Sequence, residues 1–425
     1  MDGPMTIPNP AGGPQRAAVA FDARLDGLIW LAVKGFLLSI VTFGIYRFWY
    51  VTDLRRFFWT RTAVAGSPAE YNGTGKELFL GFLVALAILV PVYLVLFGLS
   101  VAVPAFASVS VVVSFVGLFL LGQFAIYRGR RYRATRTLWR GMRLGQDGSA
   151  FAYAARAGGW WLVIVLTFGL AFPFMRADLE RYRINHTLVG TSRMTSTASG
   201  RSVLGPFLLI YLLALGPLVG VGLAMLVAAD FSLPTDLMIP KPGGNPGDLI
   251  VNPAYDGSTI GLLAKIGIGT LVLCVPAALL LVPYYRARET RAFMAAARLG
   301  GVGLESTLRA RQFYWPYFVY ALSGLGVLLA LGIAATLLAA VSQSTGIHGL
   351  YALLILVYPV VLLLFGALYV RQVQARLWAA VATTTAVVNP GELDAILASA
   401  RAPGSGLQEG LADALDVGGS LQIGF

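Results

Sequence analysis

Long apolar runs alternate with short basic stretches along most of the chain. Six of the runs approach the roughly 20 residues that a helix needs to cross a bilayer: 78–99, 101–126, 203–228, 259–284, 317–342 and 350–370. Consecutive runs pair into three predicted hairpins, 78–126, 203–284 and 317–370. Two further runs, 27–46 and 160–175, are shorter or less clean. As a helix, 160–175 would reach about 24 Å, short of a hydrocarbon core of about 30 Å, and Pro173 shortens the regular part further. This segment is therefore expected to be re-entrant or interfacial. Run 27–46 is long enough to span, but Lys34 and Gly35 interrupt it midway and suit a bend. The alternative for both is a true crossing with an inverted linker. The pattern predicts an all-α fold class: a polytopic helical membrane protein built from repeated transmembrane hairpins with basic amphipathic cytoplasmic linkers.

The polar stretches carry a repeat. "TFGIYRFWYVTDLRR" at 42–56 returns as "TFGLAFPFMRADLER" at 167–181, with a constant offset of 125 that extends to Val64 and Val189. "YRGRRYRA" at 127–134 resembles "YRARETRA" at 285–292, and "TRT" occurs at 60–62 and 135–137, each time with a glycine four residues after the second Thr (Gly66, Gly141). Internal copies of hairpins are a common construction in membrane proteins. The expected organisation is a disordered tail over 1–20 and a first repeat over 21–126. A second repeat covers 127–285, a third hairpin region 286–388 and an acidic C-terminal tail 389–425.

Composition agrees with burial in lipid: 57% of residues are hydrophobic and 12% charged, against about 25% charged in soluble domains. The net charge of +12 is unevenly spread. Arginines crowd the linkers 47–77, 128–158, 176–202 and 286–316. The loop 229–257 has only Lys241 against Asp230, Asp236, Asp248 and Asp256. Positive charge is retained on the cytoplasmic side, so each hairpin should begin and end there, with both termini cytoplasmic. Residues 1–20 lack the basic start and apolar core of a signal peptide. Cys274 is the only cysteine, so no intrachain disulfide is available.

"TFGIYRFWYVTDLRRFFWTRT", "EYNGTGKELFLGF" and "YRATRTLWRGMRLG" resemble the signature segments of the YjgN-like bacterial inner-membrane proteins, and the likeness runs over roughly 20–390. In the second copy, "NHTLVGT" sets Gly190 one residue early. That family has no established molecular function. The resemblance therefore implies a location and an architecture, and supplies no catalytic residues.

Candidate chemistry is sparse. Arg133, Arg136, Arg140 and Arg143 are spaced three, four and three apart, as on one face of a helix, with Trp139 interleaved. Arg55, Arg56 and Arg61 surround Phe57, Phe58 and Trp59, and Arg181 repeats Arg56. With Arg130, these suit a helix at the head-group level that contacts anionic lipid; equally, they could serve only to orient the helices or pair with acids. Pro91, Pro217, Pro276 and Pro359 are expected helix kinks, and Lys34 and Lys265 are the ionisable groups within apolar runs. "NGTGKELF" fails the phosphate-loop pattern twice. His186 and His348 lie far apart, with no H-E-x-x-H, so no metal, cofactor or enzymatic activity is expected. Nucleic acid is not an expected partner; anionic membrane lipids, or a membrane protein, are. Two functions stay open: a non-enzymatic scaffold that engages lipid or a partner, and a transporter or channel assembled from hairpin repeats.

Overall fold

A computed structural model describes residues 15–232, 234–244, 247–345 and 352–396. It departs from the all-α expectation. Beside the helices stands an 11-stranded antiparallel sheet. Its strands are β1 (Arg16–Ala18), β2 (Ala20–Phe21), β3 (Thr62–Val64), β4 (Ser67–Tyr71), β5 (Thr137–Trp139), β6 (Met142–Gln146), β7 (Thr187–Val189), β8 (Ser192–Ser196), β11 (Ala297–Leu299), β12 (Val302–Ser306) and β13 (Thr385–Val388). A separate two-stranded sheet in the acidic loop pairs β9 (Met238–Pro240) with β10 (Leu249–Val251).

The strand order is β1-β13-β12-β11-β8-β7-β6-β5-β4-β3-β2. Because β1 and β2 are consecutive, with only Val19 between them, the two ends of the sheet meet through the covalent chain. The Val19 amide also donates to the Thr385 carbonyl (3.0 Å). The result is a nearly closed barrel of short strands, an arrangement that removes exposed edges. Residues 16–21, expected to belong to a tail and its margin, thus form the clasp of the barrel; residues 1–14 lie outside the described residues.

Five helical hairpins leave this barrel. They are α1 (Leu28–Val41) with α2 (Arg47–Thr60), α3 (Gly75–Ala102) with α4 (Pro104–Thr135), and α5 (Ala150–Leu166) with α6 (Phe172–Asn185). Next comes the run of α7 (Arg201–Ile210) and α8 (Gly216–Ala228) with α9 (Thr259–Ala295). Last is α10 (Ala310–Thr345) with the run of α11 (Ala352–Tyr369) and α12 (Ala375–Thr383). One backbone hydrogen bond closes the root of each: Asp22 N to Arg61 O, Asn72 N to Arg136 O, Asp147 N to His186 O, Thr197 N to Ala296 O, and Thr307 N to Thr384 O, all 2.8–3.1 Å. Every hairpin therefore starts and ends at neighbouring strands. For 27–46 and 160–175 this excludes a single crossing, since the chain returns to the place it left.

Local chemistry explains the unit. Thr62, Thr137, Thr187 and Thr385 each open a strand, and each donates its hydroxyl to the carbonyl four residues back (Phe58, Arg133, Arg183, Val381; 2.7–2.9 Å). That bond satisfies an orphan carbonyl at the helix end. The strand then turns in two residues. Ala65-Gly66 and Arg140-Gly141 have positive φ at both positions, as a type I′ turn requires. Gly190-Thr191 and Gly300-Gly301 have it at the first position only, the type II′ arrangement. The glycine that comes one residue early in "NHTLVGT" is thus a change of turn type.

The same geometry overturns the amphipathic arginine helix. Helix α4 ends at Thr135, Arg140 sits in a turn, and Arg143 lies in β6. The hydroxyl of Thr137 and the turn at Gly141 take the backbone out of the helix, so the three-four spacing shares no helix face.

The repeated "TFG" is a helix-to-helix turn. Thr42 Oγ1 donates to Leu38 O (2.6 Å) and accepts from Tyr46 N (2.9 Å); Thr167 does the same with Val163 O (2.7 Å) and Ala171 N (3.2 Å). Phe43-Gly44 and Phe168-Gly169 both turn through positive φ. The apolar run 160–175 therefore contains this turn. At 1.5 Å per residue, α1 is about 21 Å long and α5 about 26 Å, too short to span. The other three hairpins supply six helices long and apolar enough to cross a membrane: Gly75–Ala102, Val109–Thr135, Arg201–Ala228, Thr259–Ala295, Ala310–Thr345 and Pro359–Thr383.

Candidate functional site

Most of the arginines singled out from the sequence are buried or paired within the protein. Arg55 is fully buried and donates to the Tyr71 hydroxyl (3.2 Å). Arg136 is buried at the end of α4 and makes a two-pronged pair with Glu77 (3.1 and 3.0 Å), which also accepts from Tyr132 (2.8 Å). Burial alone would lower the Arg136 pKa, but Glu77 more than offsets that and raises it. Arg133 is buried beside it, and Arg130 lies in the field of Glu180, Arg183 and Arg133. Arg181 pairs with Asp178 (3.0 Å).

Arg140 reaches from its turn to Asp394 (2.6 Å), Ser67 Oγ (3.0 Å) and Ala65 O (3.2 Å), and stacks on Trp139. Trp139, expected as a lipid anchor, is buried in the barrel, where its indole N–H lies near Val64 O and Ser67 O. The 3-10 turn Pro390–Ala395 follows β13, which lies across the strand order from β5. Its Leu393 enters an apolar cluster with Trp139, Met142, Val189 and Val302. The start of the expected acidic tail thus plugs the barrel at its turns; residues 397–425 lie outside the described residues.

A second buried network joins two hairpins. Glu289 of α9 accepts from Arg176 of α6 (2.8 and 2.9 Å), from Arg286 (3.0 Å) and from the Tyr285 hydroxyl (3.1 Å). Burial would lower the Arg176 pKa; Glu289 outweighs it and raises it, so Arg176 stays charged.

The prolines and intramembrane lysines have separate roles. Pro91, Pro276 and Pro359 lie within continuous helices. Pro217 follows a π-helical turn at Tyr211–Leu215. It cannot bond the carbonyl of Leu213, and Cys274 Sγ approaches that oxygen instead (3.7 Å). Lys265 pairs with Asp256 of the acidic loop (2.7 Å). His186 packs on Tyr182, while His348 lies outside the described residues. Among the described residues, no group of three His, Cys, Asp or Glu side chains could hold a metal.

Lys34 instead lines a cleft of about 520 Å³ between α1 and α2. Its wall includes Trp30, Lys34, Gly35, Tyr50, Asp53, Arg56 and Arg61. Asp53 and Arg56 lie 3.7 Å apart, both about half-exposed, and Arg56 also donates to Gly73 O (2.8 Å). The Arg61 guanidinium stacks on Phe57 (3.7 Å). Tyr50 is 7% exposed, and its hydroxyl has no hydrogen-bond partner. Burial pushes this phenol above its ordinary pKa, so it remains a neutral donor. Unsatisfied buried groups are uncommon in folded proteins; here the hydroxyl is shut from solvent, while the Tyr50 side chain lines a cleft that also holds cations and a carboxylate. Lys34 is about 9 Å along α1 from its barrel end, and Asp53 about 10 Å along α2 from its own, so both signs of charge lie at one depth. Sequence reasoning found Lys34 and Arg56 singly and missed Tyr50. The difference between Gly35 and its repeat partner Trp160 was the available signal.

Residues 16–414 match one protein-family model, described as bacterial protein of unknown function. The chain belongs to the DUF898 family. The match begins at Arg16, the first residue of β1, so it takes in the clasp as well as all five hairpins. With its six apolar helices, this DUF898 protein is a multi-pass membrane protein. No curated protein and no solved structure matches the DUF898 chain.

Proposed function

We propose that this DUF898 protein is a non-enzymatic scaffold of the bacterial inner membrane, with cytoplasmic termini, that holds the phosphate of lipid head groups in the α1–α2 cleft. The observation that carries this reading is the single cleft lined by Lys34, Arg56 and Arg61 together with Asp53 and Tyr50. A phosphate accepts from an ammonium and a guanidinium alike. The cleft belongs to a hairpin too short to span, and exposed Trp30, Leu37 and Ile40 on α1 offer an apolar flank for acyl chains. The likeness to YjgN-like inner-membrane proteins supports the location. Transport is the competing reading, and it draws on the π-helical turns at Tyr211–Leu215 and Val370–Gln374, a feature frequent at functional sites. Binding is preferred because Leu393 and its neighbours fill the barrel.

Native mass spectrometry of the purified protein tests the reading. A basic residue near a lipid phosphate contributes about 1 kcal/mol, so Lys34→Gln should lower phospholipid retention by about fivefold. Retention equal to wild type rejects the cleft as the site. Substrate flux in reconstituted vesicles would favour transport.

A further inference from the structure

The third hairpin repeats the first, and the comparison indicates what the open cleft lacks. The 125-residue offset holds across both turns, so Trp160 corresponds to Gly35, Arg156 to Leu31, Asp178 to Asp53 and Arg181 to Arg56. In the third hairpin, Asp178 is well supplied. It accepts from the Trp160 indole N–H (3.0 Å) and from Arg181 (3.0 Å), and Arg156 stands at 3.7 Å. Its side chain is 19% exposed. In the first hairpin the indole and one guanidinium are replaced by glycine and leucine. Asp53 keeps Arg56 at 3.7 Å, and its side chain is 46% exposed to the cleft side. No side chain can take the place of Trp160 there, because a Cβ on Gly35 would fall 2.0 Å from the Tyr50 ring. The first hairpin thus keeps the carboxylate and omits the N–H donor and the cation that satisfy its counterpart.

We propose that the missing donor is the primary ammonium of an aminophospholipid, such as one with an ethanolamine head group. The ammonium donates to Asp53 while the phosphate meets Lys34 and Arg56. This rests on the head-group reading above and adds the identity of the head group. An ammonium supplies three N–H donors and a positive charge, the two things Trp160 and Arg156 bring to Asp178. Both signs of charge in one cleft fit a group that carries both.

The full-length purified protein is offered phosphatidylethanolamine, its N-acetylated form and phosphatidylglycerol in native mass spectrometry. Wild type should retain the free amine at least tenfold over the N-acetylated lipid. Asp53→Asn should erase that preference and still retain phosphatidylglycerol. Gly35→Trp combined with Tyr50→Met rebuilds the third hairpin's pair, leaves every charge in place, and should abolish retention of all three lipids. Equal retention of free and acetylated amine by wild type, or an unchanged preference in Asp53→Asn, overturns the ammonium assignment while the head-group reading stands. Indifference of all three lipids to Lys34→Gln would instead remove the head-group reading itself. Soluble glycerophosphoethanolamine that binds as tightly as the lipid would overturn the lipid as the source.

Discussion

One hydroxyl group recurs at the same place in four of the five units. The Thr that opens β3, β5, β7 or β13 caps the preceding helix through its side chain and pairs in the sheet through its backbone. In two units it also accepts from a neighbouring unit's tryptophan: Trp59 Nε1 donates to Thr137 Oγ1 (3.0 Å), and Trp378 Nε1 to Thr62 Oγ1 (2.8 Å). The second of these ties the last unit to the first. Replacing Thr137 with Val preserves the shape of the side chain and removes both bonds, leaving the buried indole N–H of Trp59 and the Arg133 carbonyl without that partner. The expected cost is about 1–3 kcal/mol. It should appear as a lowered melting temperature of the full-length protein in detergent. Thr336→Val is the control, since its exposed hydroxyl bonds only to Ile333 O within α10; a shift no larger for Thr137→Val would contradict the bridging role.

At the scale of elements, the six spanning helices were legible because hydropathy and length are properties of a single segment. The barrel was not. Its strands are 2–5 residues long, too short for period-two alternation to register, and its turn dipeptides Ala65-Gly66 and Arg140-Gly141 lack the Asn-Gly or Asp-Gly signal of hairpins. The T-x-x-x-G spacing was visible, but the arginine spacing of three and four around it read as helix. A helix does run there as far as Thr135; a hydroxyl and one glycine end it. The cleft was half legible. Lys34 was conspicuous as a charge in an apolar run, whereas the orphaned state of Tyr50 depends on what packs around it. Elements are also held by pairs that no local pattern discloses, such as Glu289 of α9 with Arg176 of α6. The Glu289 side chain is 3% exposed and Arg176 is 24% exposed. Glu289→Gln keeps the volume but removes the carboxylate to which Arg176 and Arg286 both donate. The cost of breaking a buried pair is about 3–5 kcal/mol. Arg181→Gln, at a pair whose arginine is 45% exposed, should cost about 1 kcal/mol or less. Thermal unfolding of the two variants checks the order, and equal losses would refute the buried network's dominance.

For the whole molecule, the decisive feature is that all five hairpins are rooted in one barrel. Charge asymmetry alone required each spanning pair to begin and end on one side, but left the short segments 27–46 and 160–175 with basic stretches on both flanks and no clear path. The root hydrogen bonds Asp22 N to Arg61 O and Asp147 N to His186 O resolve that conflict, because a segment that returns to the adjacent strand keeps both flanks on one side. The barrel also gathers the turn at Arg140 and the strand residues Arg143, Arg193 and Arg298 into one layer, and the proposed orientation, argued from retention of basic residues, puts that layer in the cytoplasm. The acidic loop carrying β9 and β10 stands at the far ends of α8 and α9, two helices that leave and rejoin the barrel at β8 and β11. Reporter domains inserted at the turn glycines Gly66, Gly141 and Gly300 should therefore all give the cytoplasmic signal, and one at Gly243 the periplasmic signal. The three turns follow three different helical hairpins, so their agreement tests the common root as well as the orientation. A periplasmic signal from any one turn would break the single barrel, and a shared signal at Gly141 and Gly243 would refute the crossing of α8 and α9.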